Sequence, residues 1–168
     1  MSVHDGQVLL TWLPRLRRYA RALTSHREDA DDLVQETLER AWSKASHWSQ
    51  VSDMRAWLFS IMHNLYIDRV RRPGVSTVEW PEGEDASVAA PSTSRLELLD
   101  LQDALRRLSA EQREVVLLVG LEGMTYAEVA QTLGIPTGTV MSRLARGRER
   151  LRSLMEGCAP PVRMKVVK

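Results

Sequence analysis

Three features of the sequence predict an all-α chain built as two small helical domains. Apolar residues recur at i, i+3, i+4 and i+7 through most of the chain, and β-branched residues nowhere alternate as a strand requires. A Pro-, Gly-, Ser- and acid-rich gap, PGVSTVEWPEGEDASVAAPSTS at residues 73–94, interrupts the helical spacing and reads as a flexible acidic linker. The hydrophobic fraction, 43% of 168 residues, is enough for packed cores. The expected organisation is a domain at 1–72, a linker at 73–95, a second domain at 96–156 and a basic tail at 157–168.

In the first domain, Leu9, Trp12, Leu13, Leu16, Tyr19, Ala20 and Leu23 form one stripe. Pro14 lies inside it and is expected to kink that helix or mark its effective start. Ser25 and Glu28 have capping-box spacing and are expected to open a second helix. Its core face is Leu33, Val34, Thr37, Leu38, Ala41 and Trp42, while its other face carries Asp31, Asp32, Gln35, Glu36 and Glu39. A loop at Ser46–Ser52 holds His47, Trp48 and Gln50. A third helix from about Asp53 turns Trp57, Leu58, Ile61 and Leu65 inward and ends in Arg69, Arg71 and Arg72 before Pro73.

The second domain begins with Leu98, Leu101, Leu105 and Leu108 on one helix. Ser109 and Gln112 then give a capping spacing ahead of Val115, Val116 and Val119. The stretch TYAEVAQTLGIPTGTVMSRLARGRERL (Thr125–Leu151) carries the densest local signal. Thr125 and Glu128 form a third capping box, and Tyr126, Val129, Ala130 and Leu133 make one buried stripe. Gly134 ends that helix, Pro136 prevents continuation and Thr137 is placed to cap the next. In the last helix Val140, Leu144 and Leu151 face inward around Gly147; Thr139, Ser142, Arg143, Arg146 and Arg150 face out. A short helix, a tight turn and a second helix with an outer row of arginines is the layout of a helix-turn-helix that enters the DNA major groove. Arginines on a helix also occur simply as a solvated surface. The small residues at the turn and the Ser/Thr groups beside the arginines favour groove contact.

The formal charge of +1 conceals segregation. Acids crowd into Glu28–Glu39 and Glu79–Asp85, and arginines into Arg15–Arg27, Arg69–Arg72 and Arg143–Arg152, which suggests separate surfaces for separate partners. By composition alone the acidic stretch DADDLVQETLERAW (Asp29–Trp42) is a solvated helix face whose first acids favour the helix dipole. In RAWLFSIMHNLYIDRVRR (Arg55–Arg72), Trp57 and Leu58 suit a core. His47, Trp48, His63, Asn64 and Tyr66 beside cations also suit unstacked bases and phosphate. Cys158 is a lone thiol and the four histidines lack metal-ligand spacing, so neither disulfide, metal nor cofactor is expected. With no secretory or membrane-spanning segment in this sequence, a cytoplasmic location is expected.

Together, DADDLVQETLERAW, RAWLFSIMHNLYIDRVRR, the acidic linker and SAEQREVVLLVGLEGMTYAEVAQTLGIPTGTVMSRLARGRERL resemble bacterial RNA polymerase sigma factors of the extracytoplasmic-function (ECF) type over nearly the whole chain. The resemblance implies a promoter-specificity subunit, not an enzyme, whose partners are core RNA polymerase, promoter DNA and an anti-sigma factor. It implies that Asp31, Asp32, Gln35, Glu36 and Glu39 bind core polymerase. It places Trp48, Gln50, Asn64 and Arg69 at flipped bases of the −10 element, with Arg71 and Arg72 on phosphate. Ser142, Arg143 and Arg146 would lie nearest base edges of the −35 element, and Thr139 and Arg150 nearer phosphate. The chain departs from the family's pattern at Met141 and Ala145, where relatives often carry a base or a large side chain; readout there would be apolar or absent. Two other classes compete with this reading: a stand-alone helix-turn-helix regulator with a ligand-sensing or dimerising N-terminal unit, and a metal-dependent enzyme using Asp29, Asp31, Asp32 and Glu36. The paired acidic and basic helices argue against the first, and no other residue supports the second.

Overall fold

The computed structural model describes residues 3–72 and 92–158, and all the regular structure in them is helical. Three long helices form the N-terminal half: α1 (Val3–Leu23), α2 (Arg27–Ser43) and α3 (Met54–Arg71), with a short 3-10 helix at Ala45–Gln50 between the last two. The C-terminal half comprises α4 (Ser92–Arg106), α5 (Ala110–Gly120), α6 (Tyr126–Leu133) and α7 (Thr137–Cys158). The rest of the linker at 73–91 and the basic tail from 159 lie outside the described residues. α4 starts at Ser92, inside the stretch read from sequence as linker.

α1 is one helix that runs through Pro14, so the proline does not mark its start. One missing N–H costs a single backbone hydrogen bond; Leu9 before it and Leu16, Tyr19, Ala20 and Leu23 after it are all buried, so the apolar stripe carries the helix across. The capping box expected at Ser25 and Glu28 does not form. α2 starts at Arg27, and His26 occupies the cap position without a side-chain cap bond. Thr24 Oγ1 instead donates to the carbonyls of Ala20 and His26, closing the corner between the two helices.

α2 buries Ala30, Leu33, Val34, Thr37 and Ala41. Thr37 is accommodated there because its hydroxyl donates to Leu33 O at 2.7 Å. Trp42, expected in the core, is 40% exposed and packs edge-on against Trp48, with ring centroids 5.9 Å apart. α3 is capped by Asp53, whose carboxylate accepts from Ala56 N. It buries Leu58, Phe59, Ile61, Met62, Leu65 and Tyr66, more of its circumference than one stripe, because α2 packs on one side and α6 on another. Tyr66, considered from sequence for base stacking, belongs to this core.

In the second half, Leu98 and Leu101 are exposed, while Leu105 and Leu108 are buried. Ser109 caps α5 by accepting from Gln112 N. Both halves of the Thr125–Glu128 capping box are present, and Gly134 sits in the left-handed region at φ 64°. Tyr126, expected in the stripe of α6, is 39% exposed; Val129 and Leu133 carry the burial. Thr137 is already helical, so Pro136 holds the cap position and its carbonyl accepts from Thr139 N and Val140 N. Gly147 is required by contact, since a Cβ there would stand 2.8 Å from Val116 Cγ2. Buried residues of both halves join in one hydrophobic cluster, reached through α1 against α5 and α3 against α6.

Candidate nucleic-acid and polymerase interface

The capped α6, the left-handed turn at Gly134 and the burial of Val140 and Leu144 fix the orientation of α7. Its opposite face is therefore outward. Ser142, Arg146 and Arg150 are exposed there, Thr139 is half-buried, and Ser142 Oγ donates only to the local carbonyl of Thr139. Arg143 is held at 3.3 Å from Glu111 of α5, with 27% of its side chain exposed. Arg146 and Arg150 also line an open surface groove of about 690 Å³ with Arg107 and Gln112. Met141 is 53% exposed on the same helix, so an apolar group is presented where a base was absent from the sequence pattern. Rigid scaffold, free donors and positive charge suit phosphate and major-groove base edges.

On α2, Asp31, Asp32, Gln35 and Glu39 are exposed and Glu36 is half-buried, forming one polar, largely acidic face. Gln35 donates to Glu39 at 2.9 Å, and Arg27 lies 4.0 Å from Asp31. Glu36 is the junction between this face and α3, since it accepts from Arg40 at 3.3 Å and from Arg69 at 3.0 Å. Arg69 also donates to Asp29 O. Two residues assigned from sequence to different surfaces are thus partners in the free protein.

The remaining −10 candidates are split by their surroundings. Gln50 and Asn64 are exposed, as are Arg71 and Arg72 at the end of α3. Trp48 is half-buried against Trp42, and its indole N–H donates to Ala41 O at 2.9 Å. His63, considered for nucleic-acid contact, instead places Nδ1 2.7 Å from Glu114 Oε1. No group of three or more His, Cys, Asp or Glu able to hold a metal occurs among the described residues. Nor is any described helix long and apolar enough to cross a membrane.

Sequence reasoning missed a set of charged residues between the two halves. Glu122 is 3% exposed and accepts from Arg15 Nε at 2.9 Å and from Arg18 at 3.1 Å. Arg55 donates to Glu128 at 2.6 Å. The buried Arg113 donates to the carbonyls of Leu105, Arg106 and Leu108, and also to Leu23 O at the end of α1. Burial pushes its guanidinium below the usual value. Burial likewise pushes the Glu114 carboxyl up, opposed by its hydrogen bond from His63. The available signal was charge within an apolar run: EVVLLVGLEGM places Glu114 and Glu122 where only paired carboxylates are tolerated.

These geometries coincide with two family matches. Residues 9–63 match the Sigma2 domain of PhyR, and residues 98–151 match sigma-70, region 4. The ECF RNA polymerase sigma factor EcfG of Rhodopseudomonas palustris (strain TIE-1) is 36% identical over 149 residues, spanning 88% of this chain and 82% of that protein. Among solved structures, the sigma factor RpoE of Bartonella quintana, in complex with the anti-sigma factor NepR, superposes with a TM-score of 0.76. It is 35% identical, covering 90% of this chain and 96% of that one. CnrH in complex with the cytosolic domain of CnrY gives a TM-score of 0.69 at 29% identity, covering 92% and 89%. A helix-turn-helix in the second half, an acidic helix beside a basic one in the first, and relatives matched along most of their length agree: the chain belongs to the ECF RNA polymerase sigma factors.

Proposed function

We propose that this sigma factor brings core RNA polymerase to promoters by two-point recognition and performs no covalent chemistry itself. The observation that carries this reading is the pairing of an outward polar and arginine-bearing face on α7 with a polar face on α2 and a basic end on α3. α7 reads duplex −35 DNA, with Ser142, Arg143 and Arg146 at base edges and Thr139 and Arg150 nearer phosphate. Asp31, Asp32, Gln35, Glu36 and Glu39 dock on core polymerase. Trp48, Gln50, Asn64 and Arg69 receive unstacked −10 bases, and Arg71 and Arg72 hold the backbone. Flipping a base costs a few kcal/mol, so stacking and hydrogen-bonding groups are needed at the receiving site. The net charge of +1 supplies little non-specific DNA affinity; polymerase and the second contact point supply the rest through effective concentration. The protein acts in the cytoplasm without cofactor or metal, and an anti-sigma factor controls access to these faces.

In vitro transcription with core polymerase, followed by start-site mapping, tests this directly: a shared upstream motif is expected, and absence of association with core polymerase overturns it. Arg143→Ala should weaken initiation by about 1 to 3 kcal/mol in a −35-dependent manner if it makes a bidentate base contact. Equal loss on every template would mark it as a phosphate contact.

A further inference from the structure

We infer that Glu111 of α5 is a specificity-determining residue for the −35 element: it holds Arg143 in one pose, so that this arginine meets a base edge already ordered and is kept from a neighbouring phosphate. The specificity role rests on the base-edge assignment of Arg143 in the reading above.

Arg143, Arg146 and Arg150 lie along one side of α7, and Arg143 differs from the other two. Its Nη2 stands 3.3 Å from Glu111 Oε2, with 27% of the arginine side chain exposed and 61% of the glutamate's. Arg146 and Arg150 are exposed, and among the described residues neither pairs with a carboxylate. Glu114, whose carboxyl burial pushes up and His63 pulls down, feels Arg143 as a further favourable charge. Both acids belong to α5, so the guanidinium is drawn towards that helix.

The position of the anchor does not depend on the ion pair. Ser109 caps α5 and Glu111 stands in its first turn, where the helix dipole favours a carboxylate. α5 and α7 meet closely at Gly147, one turn along α7 from Arg143, where a Cβ would stand 2.8 Å from Val116 Cγ2 and 3.5 Å from Gln112 Cβ. Val115, Val140 and Leu144 are buried in the same packing. Removing the Glu111 carboxylate therefore frees the arginine without moving the helix that carries it.

An exposed ion pair contributes little to stability, so holding is what Glu111 adds here. A guanidinium presents two forked edges, and a single contact at Nη2 leaves one of them for a bidentate base contact. An unanchored arginine loses on the order of two- to tenfold in affinity when a base contact immobilises it. An arginine already held loses less, and that gain falls only on the contact that uses the held pose. The carboxylate is also repelled by phosphate, so the same residue weakens sequence-independent contact. Specific and non-specific affinity should thus move in opposite directions when it is removed, which loss of a merely structural pair would not produce.

Nitrogen relaxation at Arg143 Nε reports the holding in the free full-length chain, without polymerase or DNA; its signal is the one lost in Arg143→Lys. The group should be ordered in the parent and mobile in Glu111→Ala, with thermal midpoints within about 4 °C of each other, as for an exposed pair. Promoter complexes of the holoenzyme report the reading. Affinity is compared between the promoter defined by start-site mapping and single-base substitutions within its −35 element. Arg143→Ala should flatten discrimination at one position. Glu111→Ala should lower it at that position by about two- to tenfold, and should add nothing in the Arg143→Ala background. On a template whose −35 element is replaced throughout, Glu111→Ala should bind more tightly than the parent, with a salt slope steeper by about 0.9.

An Arg143 Nε that is mobile in the parent, or equally ordered in Glu111→Ala, overturns the inference whatever the DNA results. Unchanged discrimination in Glu111→Ala, beside a loss in Arg143→Ala, overturns it and leaves the base-edge assignment standing. Affinity that falls on all templates together in Glu111→Ala marks a pair that only supports the fold, and overturns it too. A uniform effect of Arg143→Ala across every −35 substitution removes the base-edge assignment itself, and the specificity role of Glu111 with it.

Discussion

The two regions proposed to contact DNA in this sigma factor are built by different means. In α6 and the turn into α7 the interactions that set the backbone are local: the Thr125–Glu128 box spans one turn, Gly134 makes the corner, and α7 follows directly. In α2 and α3 the decisive interactions are remote. Arg69 reaches back to Glu36 and Asp29, Arg55 reaches forward to Glu128, and His63 to Glu114. A reader of duplex DNA can be a self-contained module, since it docks one rigid face in a groove. α3, which carries the proposed −10 contacts, instead shares its charged groups with neighbouring elements.

Removing a buried ring from the remote-contact region gives the largest expected effect. Phe59 of α3 is 1% exposed and meets Tyr19 edge-on, with centroids 5.0 Å apart. Phe59→Ala should destabilise the protein by about 3–5 kcal/mol. Because the buried cluster runs through both halves, urea denaturation should show one transition displaced as a whole. Two transitions, only one of them moved, would break the view that α3 joins the halves.

A close approach between α7 and α5 is the next lever. Gly147→Ala would bring a Cβ to 2.8 Å from Val116 Cγ2, a β-branched side chain with little freedom to turn away. Overpacking of this kind costs about 1–3 kcal/mol, more than the helix propensity an alanine adds. Val116→Ala in the same chain should restore part of the loss in a thermal-melt comparison. If Gly147→Ala alone raises the midpoint, the two helices are less tightly joined than this contact indicates.

The same contrast decided what could be read from the residues alone. Thr125, Glu128, Val129 and Gly134 announce themselves because their spacing contains the whole interaction. Ser25 and Glu28 show the same spacing and no box forms, because α2 starts at Arg27 and His26 rather than Ser25 holds the cap position. Trp42 and Tyr126 fit their stripes by period yet lie at the edge of the packing, which period cannot report. Glu114, Glu122 and Arg55 owe their roles to partners on other helices. Only the oddity of a carboxylate within an apolar run hinted at them. The candidate contact residues on α7 were legible as a face; their individual assignments still rest on resemblance.

A pair of matched substitutions measures that difference at the level of one hydrogen bond. Thr125→Ala removes an acceptor for Glu128 N and should cost about 1 kcal/mol, within the range for helix N-caps. Ser25→Ala removes no helix cap and should stay within about 0.5 kcal/mol of the parent. Chemical denaturation midpoints of the two variants give the comparison directly. Equal losses would mean that spacing alone, rather than the formed box, sets the contribution.

The smallest expected effect is a change of slope with pH, and it separates a remote carboxylate from a local one. Glu128 is held below its ordinary value of 4.5, first by the backbone N–H of Thr125 and then by that residue's hydroxyl, with Arg55 adding to both. Its contribution is present above that ordinary value and is lost as pH falls through the lower folded value. Glu114 is shifted the other way by burial, only partly countered by His63 and Arg143. Its folded pKa lies above the unfolded one, so its contribution is complete below the ordinary value and declines as pH rises through the raised folded value. Glu114→Gln keeps the buried shape and cannot ionise. Stability followed by urea midpoint from about pH 4 to about pH 8 should fall less in this variant than in the parent. Glu128→Gln should leave that alkaline-side decline in place and remove a loss on the acid side. A parent whose stability rises between those limits as much as that of Glu114→Gln would show that His63 compensates the buried charge in full, and the cross-helix carboxylate would then behave like the local one.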